Sequence, residues 1–412
     1  MAGVTAILDA ARAARASVDG GRCAALTAAM VQCDTRNPPG DESPVIPLLL
    51  DVLRGLGAET EIFEPAPGRT SLLATVPADS GIFTGPPSGA GARPTLLVNG
   101  HLDVVPLVEA DWTVPPFGGV VRDGRLYGRG ACDMKGGIAA AIEGLRGCVD
   151  AGVRPACDVT FHLVADEETG GRWGTEALLD SGRIQADAAI VPEPSELGIC
   201  VAERGALLAE ITVTGRAAHG SDPARGRSAI ADAARLVLAL QEADFGDPAH
   251  PLLGSPTCNV GTIAGGTAPN IVASSAVLRV DRRLLPGQSR EQALTTLRAV
   301  LDRAAPDVGY RLEVLAFVEA SELAAEHPFV DVLRAACAPA RNSTQSPVRG
   351  LYLGTDARFL RNQLGIPAVV YGPGSMTVAH TADEYVPLAE LTEAAGSFAS
   401  VYASFDAPFT GS

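Results

Sequence analysis

The 412-residue chain has little that would indicate a nucleic-acid-binding protein or a membrane protein. Its 48 Asp and Glu residues outnumber its 32 Lys and Arg residues, and the net charge of −16 is the opposite of the basic footprint that binds nucleic acids. No stretch approaches the ~20 apolar residues that a membrane-spanning helix needs. We therefore expect neither a nucleic-acid partner nor a membrane contact.

Cysteine pairs of the Cys-x-x-Cys type are also missing, although the chain has eight cysteines. The N-terminal segment has neither the basic start nor the unbroken apolar region of a signal peptide, and its pattern is typical of an amphipathic helix. Without an export signal, reduced buried thiols are favoured over disulfides. The predicted compartment is the cytoplasm.

Apolar runs alternate with helical segments over much of the chain. The chain is longer than the ~250–300 residues that a single core serves, so two domains are expected. Short apolar runs at 95–99, 159–165 and 188–191 predict buried strands, each followed by polar residues. This alternation is typical of an α/β fold with its site at the carboxyl edge of the sheet.

The pattern changes near residue 205. Segments 207–214 and 274–281 alternate like half-buried antiparallel strands, and helical segments at 226–243 and 289–304 separate them. These features predict a small α+β domain inserted into the α/β domain. The predicted division is 1–204 for the first part of a catalytic domain, 205–318 for the inserted domain and 319–412 for the second part of the catalytic domain.

Carboxylates and histidines follow the predicted strands or lie in loops linked to them. Two hydrolytic metal ions need one bridging carboxylate, a few terminal ligands and a separate carboxylate that takes a proton from water. The chain supplies this set, with Glu167 left over as the base. The candidate segments are His101-Leu102-Asp103, the loop of Asp133, Asp166-Glu167-Glu168, Glu193 between two prolines, and the loop of His380.

Each segment also has a structural interpretation, and no single one decides the matter. The alternatives are a satisfied polar turn for His101 and Asp103, a helix N-cap for Asp133, a solvated acidic turn for Glu167 and Glu168, a surface loop for Glu193 and a structural histidine for His380. The joint pattern favours a metal site, because five separate candidates follow strands or strand-linked loops.

Two strings of residues resemble the M20 metallopeptidase family. They are Asn99-Gly100-His101-Leu102-Asp103-Val104-Val105-Pro106 and Gly128-Arg129-Gly130-Ala131-Cys132-Asp133-Met134-Lys135-Gly136-Gly137. The resemblance runs from about residue 22 to 405 and includes Asp166-Glu167-Glu168 and Glu193-Pro194. It implies a zinc-peptidase-like catalytic domain with a mixed central sheet flanked by helices. A smaller α+β lid domain would interrupt it and mediate a homodimer.

The resemblance also implies how the residues divide their roles. His101, Asp133 and Glu193 would hold one divalent metal ion, and Asp133, Glu168 and His380 the other. Asp133 would bridge the two ions, which are zinc in the first instance, with cobalt or manganese as alternatives. Glu167 would be the general base, and Asp103 would orient His101. The peptide bond between Asp133 and Met134 would be cis.

Three residues of the inserted domain match lid positions of the family. His219 would stabilise the tetrahedral oxyanion, although a histidine that merely hydrogen-bonds at a strand end has the same pattern. Asn270 and Arg283 would hold a substrate carboxylate, and an Arg fork can do so bidentately. Arg283 could equally be a solvated strand residue.

The function that the resemblance implies is hydrolysis of a linear amide in a small-molecule N-acyl amino acid, of the deacetylase or desuccinylase type. A carboxypeptidase or dipeptidase of the same family is the alternative enzyme. A metal-free binding or regulatory homologue is the alternative of another class. No predicted metal position departs from the family pattern, which counts against an inactive homologue.

Overall fold

The computed structural model describes residues 2–85, 93–341 and 347–406. The chain divides into two compact units. The first unit comprises Met1–Val201, Leu323–Arg349 and Thr355–Ser412, and the second comprises Ala202–Glu322 and Gly350–Gly354. In the described ranges, no helix is both long and apolar enough to cross a membrane. The cytoplasmic location stays a prediction.

The strands are named in chain order. They are β1 Glu59–Phe63, β2 Ser71–Val76, β3 Thr95–His101, β4 Val120–Arg122, β5 Arg125–Tyr127, β6 Asp158–Val164, β7 Ala188–Val191, β8 Ile199–Glu203, β9 Gly205–Thr214, β10 Thr257–Gly265, β11 Ser275–Leu284, β12 Gly309–Val318, β13 Ser321–Glu322, β14 Val348–Leu351, β15 Ala368–Val370 and β16 Tyr385–Pro387.

The α-helices are named in the same way. They are α1 Ala2–Ala16, α2 Gly20–Val31, α3 Ile46–Arg54, α4 Gly136–Asp150, α5 Thr175–Asp180, α6 Ala229–Gln241, α7 Arg290–Ala304, α8 Pro328–Arg341, α9 Ala357–Leu364 and α10 Leu388–Ser404.

The first unit is built on a mixed sheet with the strand order β1-β2-β6-β3-β7-β15-β8. Strands β6, β3, β7 and β15 run parallel to one another, whereas β2 pairs antiparallel with both β1 and β6, and β8 pairs antiparallel with β15. The parallel strands are short and mostly buried, as strands covered on both faces should be. The predicted fold class, α/β with a mixed central sheet flanked by helices, is confirmed.

Helices α1, α4 and α10 pack against one another in the first unit, and α4 also contacts β3. The side chains of Ile138, Ile142 and Leu145 on α4 are fully buried. Their spacing of three and four residues places them on one face of the helix. This packing fixes the start of α4, which directly follows the turn that carries Asp133.

The second unit contains an antiparallel sheet with the order β10-β11-β9-β12. Alternate residues of β9, from Leu207 to Val213, are buried with α6 and α7 in one hydrophobic core. The predicted boundary residues 205 and 318 are the first residue of β9 and the last residue of β12. The role of this unit as a lid and dimerisation domain stays a prediction.

Buried His162 makes the stability of the first unit depend on pH. Its side chain is only 3% exposed, and its Nδ1 atom has no hydrogen-bond partner among the described residues. Burial lowers the pKa of His162 from 6.5 to about 4. Between pH 6.5 and about 4, the unfolded chain binds a proton at His162 more readily than the folded chain does. The stability that neutral His162 gives the folded state is therefore present above pH 6.5 and is lost as the pH falls towards 4.

We expect His162→Leu to lose less stability than the parent protein as the pH is lowered from neutral to about 4. Once His162 is fully protonated, the parent should have lost on the order of 3 kcal/mol more of its free energy of unfolding than His162→Leu, relative to neutral pH. Chemical denaturation at a series of pH values measures it. Thr160→Val, a change on the same face of β6 that removes no titrating group, is the control. Parallel pH profiles for His162→Leu and the parent would contradict the prediction.

Candidate metal centre

The predicted ligands lie at the carboxyl ends of neighbouring parallel strands. His101 is the last residue of β3, Glu168 follows β6, and Glu193 follows β7. His380 lies in the loop after β15. Parallel strands end at the same edge of a sheet, so four segments that are distant in the sequence meet there.

Asp133 reaches the same edge from a tight turn at Ala131–Lys135, directly before α4. Asp133 and Met134 have non-helical backbone angles in this turn, and the peptide bond between them is cis, as the resemblance implied. Gly137 lets the turn approach the end of β7, because a Cβ atom there would lie 1.9 Å from the carbonyl oxygen of Pro192.

Two clusters of potential ligand atoms share Asp133. One contains His101, Asp133 and Glu193, and the other contains Asp133, Glu168 and His380. Asp133 Oδ1 lies 3.0 Å from His101 Nε2, and Asp133 Oδ2 lies 3.3 Å from His380 Nε2. The second contact of each histidine is to a glutamate, at 3.5 Å for Glu193 and 3.2 Å for Glu168. A carboxylate whose oxygens face separate ligand groups has the arrangement of a bridging ligand.

Both histidines lie among negative charges. Burial by itself lowers the pKa of His101, but the charge of Glu193 and hydrogen bonds to neighbouring carboxylates raise it well above 6.5. Hydrogen bonds to Asp133 and Glu168 raise the pKa of His380 to about 10. The surroundings therefore favour a positive charge at both rings, which a divalent cation bound to the neutral imidazoles would supply.

The acids of the site are destabilised by one another. Burial and the nearby charge of Asp133 raise the pKa of Glu193 to about 8. Burial also raises the pKa of Glu167 and of Glu168, and neighbouring carboxylates contribute to both shifts. Acids packed this closely at the end of a core are stable only where protons or cations compensate their charge.

The donor set fits a pair of divalent cations. Imidazole nitrogens with carboxylate oxygens are the ligands of hydrolytic metal ions such as zinc. The Glu168 side chain is only 6% exposed, and its Oε1 atom has no hydrogen-bond partner within the described ranges. A buried carboxylate oxygen without a partner is costly unless a cation binds it.

Asp103 connects His101 to the acidic turn that follows β6. His101 Nδ1 donates a hydrogen bond to the backbone carbonyl of Asp103 at 2.9 Å, whereas the nearest carboxylate oxygen of Asp103 is 3.5 Å away. This bond leaves Nε2 of the ring facing Asp133. The Asp103 carboxylate instead accepts hydrogen bonds from the backbone N–H groups of Glu167 at 3.1 Å and Glu168 at 3.2 Å. Asp103 thus contacts both His101 at the end of β3 and the acidic turn after β6.

Asn37 supports Asp103 and was not among the predicted site residues. Its Nδ2 atom donates to Asp103 Oδ2 at 2.8 Å, and its Oδ1 atom accepts from Arg69 at 3.0 Å. Arg69 also binds Asp166 and Glu42. All five side chains are buried. Asp103 and Arg69, the partners of Asn37, lie far away from it in the sequence, so no local pattern indicated this role.

Two of the predicted lid residues are neighbours in the second unit. The backbone N–H of Gly220 donates to the Asn270 carbonyl at 2.7 Å, and His219 forms an isolated β-bridge with Ile271. His219 and Asn270 are both exposed. The Ser221 hydroxyl lies 2.7 Å from His219 Nδ1 and holds the ring.

Arg283 lies at the other end of β11 from this loop. It is the ninth residue of the strand, and a rise of ~3.3 Å per residue places it about 26 Å from the first. Its guanidinium donates to Asp281 at 2.9 Å. Arg283 therefore lies far along β11 from the loop that carries Asn270. The joint role of Arg283 and Asn270 in binding a substrate carboxylate stays a prediction.

The chain matches a known protein family over most of its length. Residues 97–404 match the profile of peptidase family M20/M25/M40. An acetylornithine deacetylase from Myxococcus xanthus is 35% identical over 328 residues, which cover 77% of this chain and 82% of the relative. The chain belongs to the M20 family.

Solved structures have the same fold as this M20 chain. A tripeptidase from Staphylococcus aureus superposes with a TM-score of 0.76 at 23% identity, covering 95% of this chain and 99% of the other. A Bacillus subtilis protein described as a dinuclear metal binding peptidase from the M20 family gives a TM-score of 0.67 at 16% identity, with coverage of 93% and 97%. At these identities the likeness shows the fold, and the predicted family is confirmed.

We expect Asp103→Asn in this M20 chain to weaken metal binding about 10–100-fold. An amide nitrogen at this position would face the backbone N–H of Glu167 or Glu168, or the Asn37 amide, where the carboxylate now accepts. Titration of the metal-free protein with zinc measures the change. Asp187→Asn is the control, because Asp187 accepts from Thr95 at the opposite end of β3. Unchanged zinc affinity in Asp103→Asn would contradict the prediction.

Proposed function

We propose that this chain is a dinuclear-metal amidohydrolase that removes an N-acyl group, of acetyl or succinyl type, from a small amino acid or related metabolite. His101, Asp133 and Glu193 would hold the first cation. Asp133, Glu168 and His380 would hold the second. Zinc is the first choice, and cobalt or manganese are alternatives. The observation that supports this most is the Asp133 carboxylate, whose oxygens lie 3.0 and 3.3 Å from two histidines.

The bound metals would lower the pKa of water and polarise the amide carbonyl. Glu167 acts as the general base, which takes a proton from the attacking water and delivers it to the leaving amine. The hydrogen bond of 3.1 Å from its backbone N–H to Asp103 holds Glu167 beside the site. His219 donates a hydrogen bond to the oxyanion that forms on the substrate.

The deacylase assignment is supported by the relative at 35% identity, which is an acetylornithine deacetylase. It is also supported by Glu193, because members of the family that act on dipeptides or as aminopeptidases often carry Asp at this position. The second candidate is a carboxypeptidase or dipeptidase, which would use the same metals and base with a different pocket. Turnover of N-acetyl-ornithine, N-succinyl-diaminopimelate and dipeptides by the zinc- or cobalt-loaded protein separates the two. Equal or faster turnover of dipeptides would contradict the deacylase assignment and favour the peptidase.

We expect Glu167→Gln to lose roughly 10²–10⁴-fold in kcat while it keeps its metal ions, since the amide cannot accept the proton. Steady-state kinetics on the best N-acyl substrate and metal analysis of the same sample measure both quantities. Glu176→Gln, an acid on α5 outside the two clusters, is the control. Full activity in Glu167→Gln would refute its role as the base.

The alternative of another class is a metal-free binding protein on the same fold. About two equivalents of bound metal per chain with hydrolysis would support the enzyme. Tight binding of an amino acid without metal and without turnover would support the binding protein. Metal analysis and calorimetry of the purified protein decide between them.

We further propose a homodimer formed through the second unit. Strand β10 is an edge of the antiparallel sheet and is mostly exposed. Ile263 on this strand is 54% exposed, and Ile230 on α6 and Ile271 in the loop after β10 are each 44% exposed. An exposed edge strand next to apolar side chains is suited to pairing with a second copy. In such a dimer the partner's His219 would complete the site.

Two inactive variants should restore activity to each other in mixed dimers. If Glu167→Gln and His219→Ala are co-expressed in equal amounts, one site of each mixed dimer combines an intact Glu167 with the partner's intact His219. About a quarter of the parent activity should return. Activity of the mixture on the best substrate measures the effect. No recovery from mixed dimers of confirmed composition would contradict the exchange of His219.

The edge-strand variants test the interface itself. Ile263→Lys places a charge on β10 and should give a monomer in solution, with loss of the recovered activity. Leu315→Lys is the matched control, because Leu315 lies on the opposite edge strand, β12, and is 51% exposed. A dimeric Ile263→Lys variant would contradict this interface.

A further inference from the structure

We propose that Glu384 is a positioning residue that holds the Asp133 turn against the loop of His380 and thereby sets the affinity for the second metal ion. The inference rests on the proposed function, because it concerns the same metal centre. Nothing in the family resemblance assigned a role to this residue. Its sequence neighbourhood, four residues after His380, gave it the pattern of a loop acid.

The Glu384 carboxylate is fully buried and accepts three hydrogen bonds. Its Oε1 atom accepts from the backbone N–H groups of Cys132 at 2.9 Å and Asp133 at 3.1 Å. Its Oε2 atom accepts from the guanidinium of Arg129. The Glu384 backbone carbonyl accepts from the N–H of Gly128 at 2.9 Å. One residue therefore accepts four hydrogen bonds from residues 128–133, two of them from the turn that presents Asp133.

The same residue belongs to the loop that presents His380. Asp383, its neighbour, accepts hydrogen bonds from the backbone N–H of Thr113 at 2.8 Å and from the Thr113 hydroxyl at 2.7 Å. The loop is thus anchored at Asp383 as well as at Glu384. Since His380 Nε2 lies 3.3 Å from Asp133 Oδ2, the separation of these two ligand atoms depends on how the loop and the turn are held together.

The charge of Glu384 matters as well as its shape. Arg129 is buried, stacks over Trp112 at 5.3 Å and has its ion pair with Glu384. A glutamine at position 384 would keep the size of the side chain. Its NH₂ group would nevertheless face either Arg129 or the two backbone N–H groups, all of which are donors. Two donors that face each other in a buried site leave a polar group unsatisfied, so the turn would shift.

The test is the titration of metal-free protein with zinc or cobalt. Calorimetry measures the binding of both ions, and visible absorption also monitors cobalt. We expect Glu384→Gln to bind the second equivalent about 10–100-fold more weakly than the parent and to change the cobalt spectrum at two equivalents. Glu390→Gln is the matched control, because Glu390 accepts from the backbone N–H of Gly374 at 2.8 Å without contacting the Asp133 turn. It should bind both ions like the parent.

Each outcome decides a separate point. Parent-like affinity and an unchanged cobalt spectrum in Glu384→Gln would overturn the inference while leaving the metal centre in place. A parent protein that binds no metal would refute the proposed function instead. If Glu384→Gln does not fold, Arg129→Lys replaces it in the same titration, because it weakens the hydrogen bond from the Arg129 guanidinium that holds Oε2. Parent-like binding in Arg129→Lys would then overturn the inference.

Discussion

The sharing of one carboxylate between two histidines is the constraint on which the rest of the site depends. Asp133 Oδ1 faces His101 and Asp133 Oδ2 faces His380. An aspartate side chain is short, so its backbone must lie close to the ends of the strands. The tight turn before α4 and the absence of a side chain at Gly137 make this close approach possible.

The site is a place where function is favoured over the stability of the metal-free chain. Burial and mutual repulsion raise the pKa values of Glu167, Glu168 and Glu193, and such a group of acids would not be selected for packing alone. The fold places them at the carboxyl edge of the parallel strands, where side chains from several strands converge. Burying several carboxylates close together departs from ordinary core packing, as is usual at functional sites.

A second layer of side chains from distant segments holds the ligands in place. Asn37 reaches Asp103, which binds the turn after β6, and Glu384 binds the turn of Asp133. These residues come from the first and last parts of the chain. Their hydrogen bonds are buried, so losing one partner leaves another polar group unsatisfied. The layer explains how loops rather than regular elements can present a precise site.

Local sequence patterns determined the fold class, several buried strands and the candidate ligands. Hydrophobic period and motif spacing are short-range properties, so β3, β6 and β7 and the order of the acids could be predicted from them. The less regular strands β1, β2, β10 and β12 were not predicted. Only the tertiary structure decided that Asp133 lies between two histidines, that Asn37 and Glu384 support the site, and that Arg283 lies at the far end of β11 from the loop of Asn270. These relations join residues far apart in the chain, and side-chain distances across such separations are set by packing, not by local pattern.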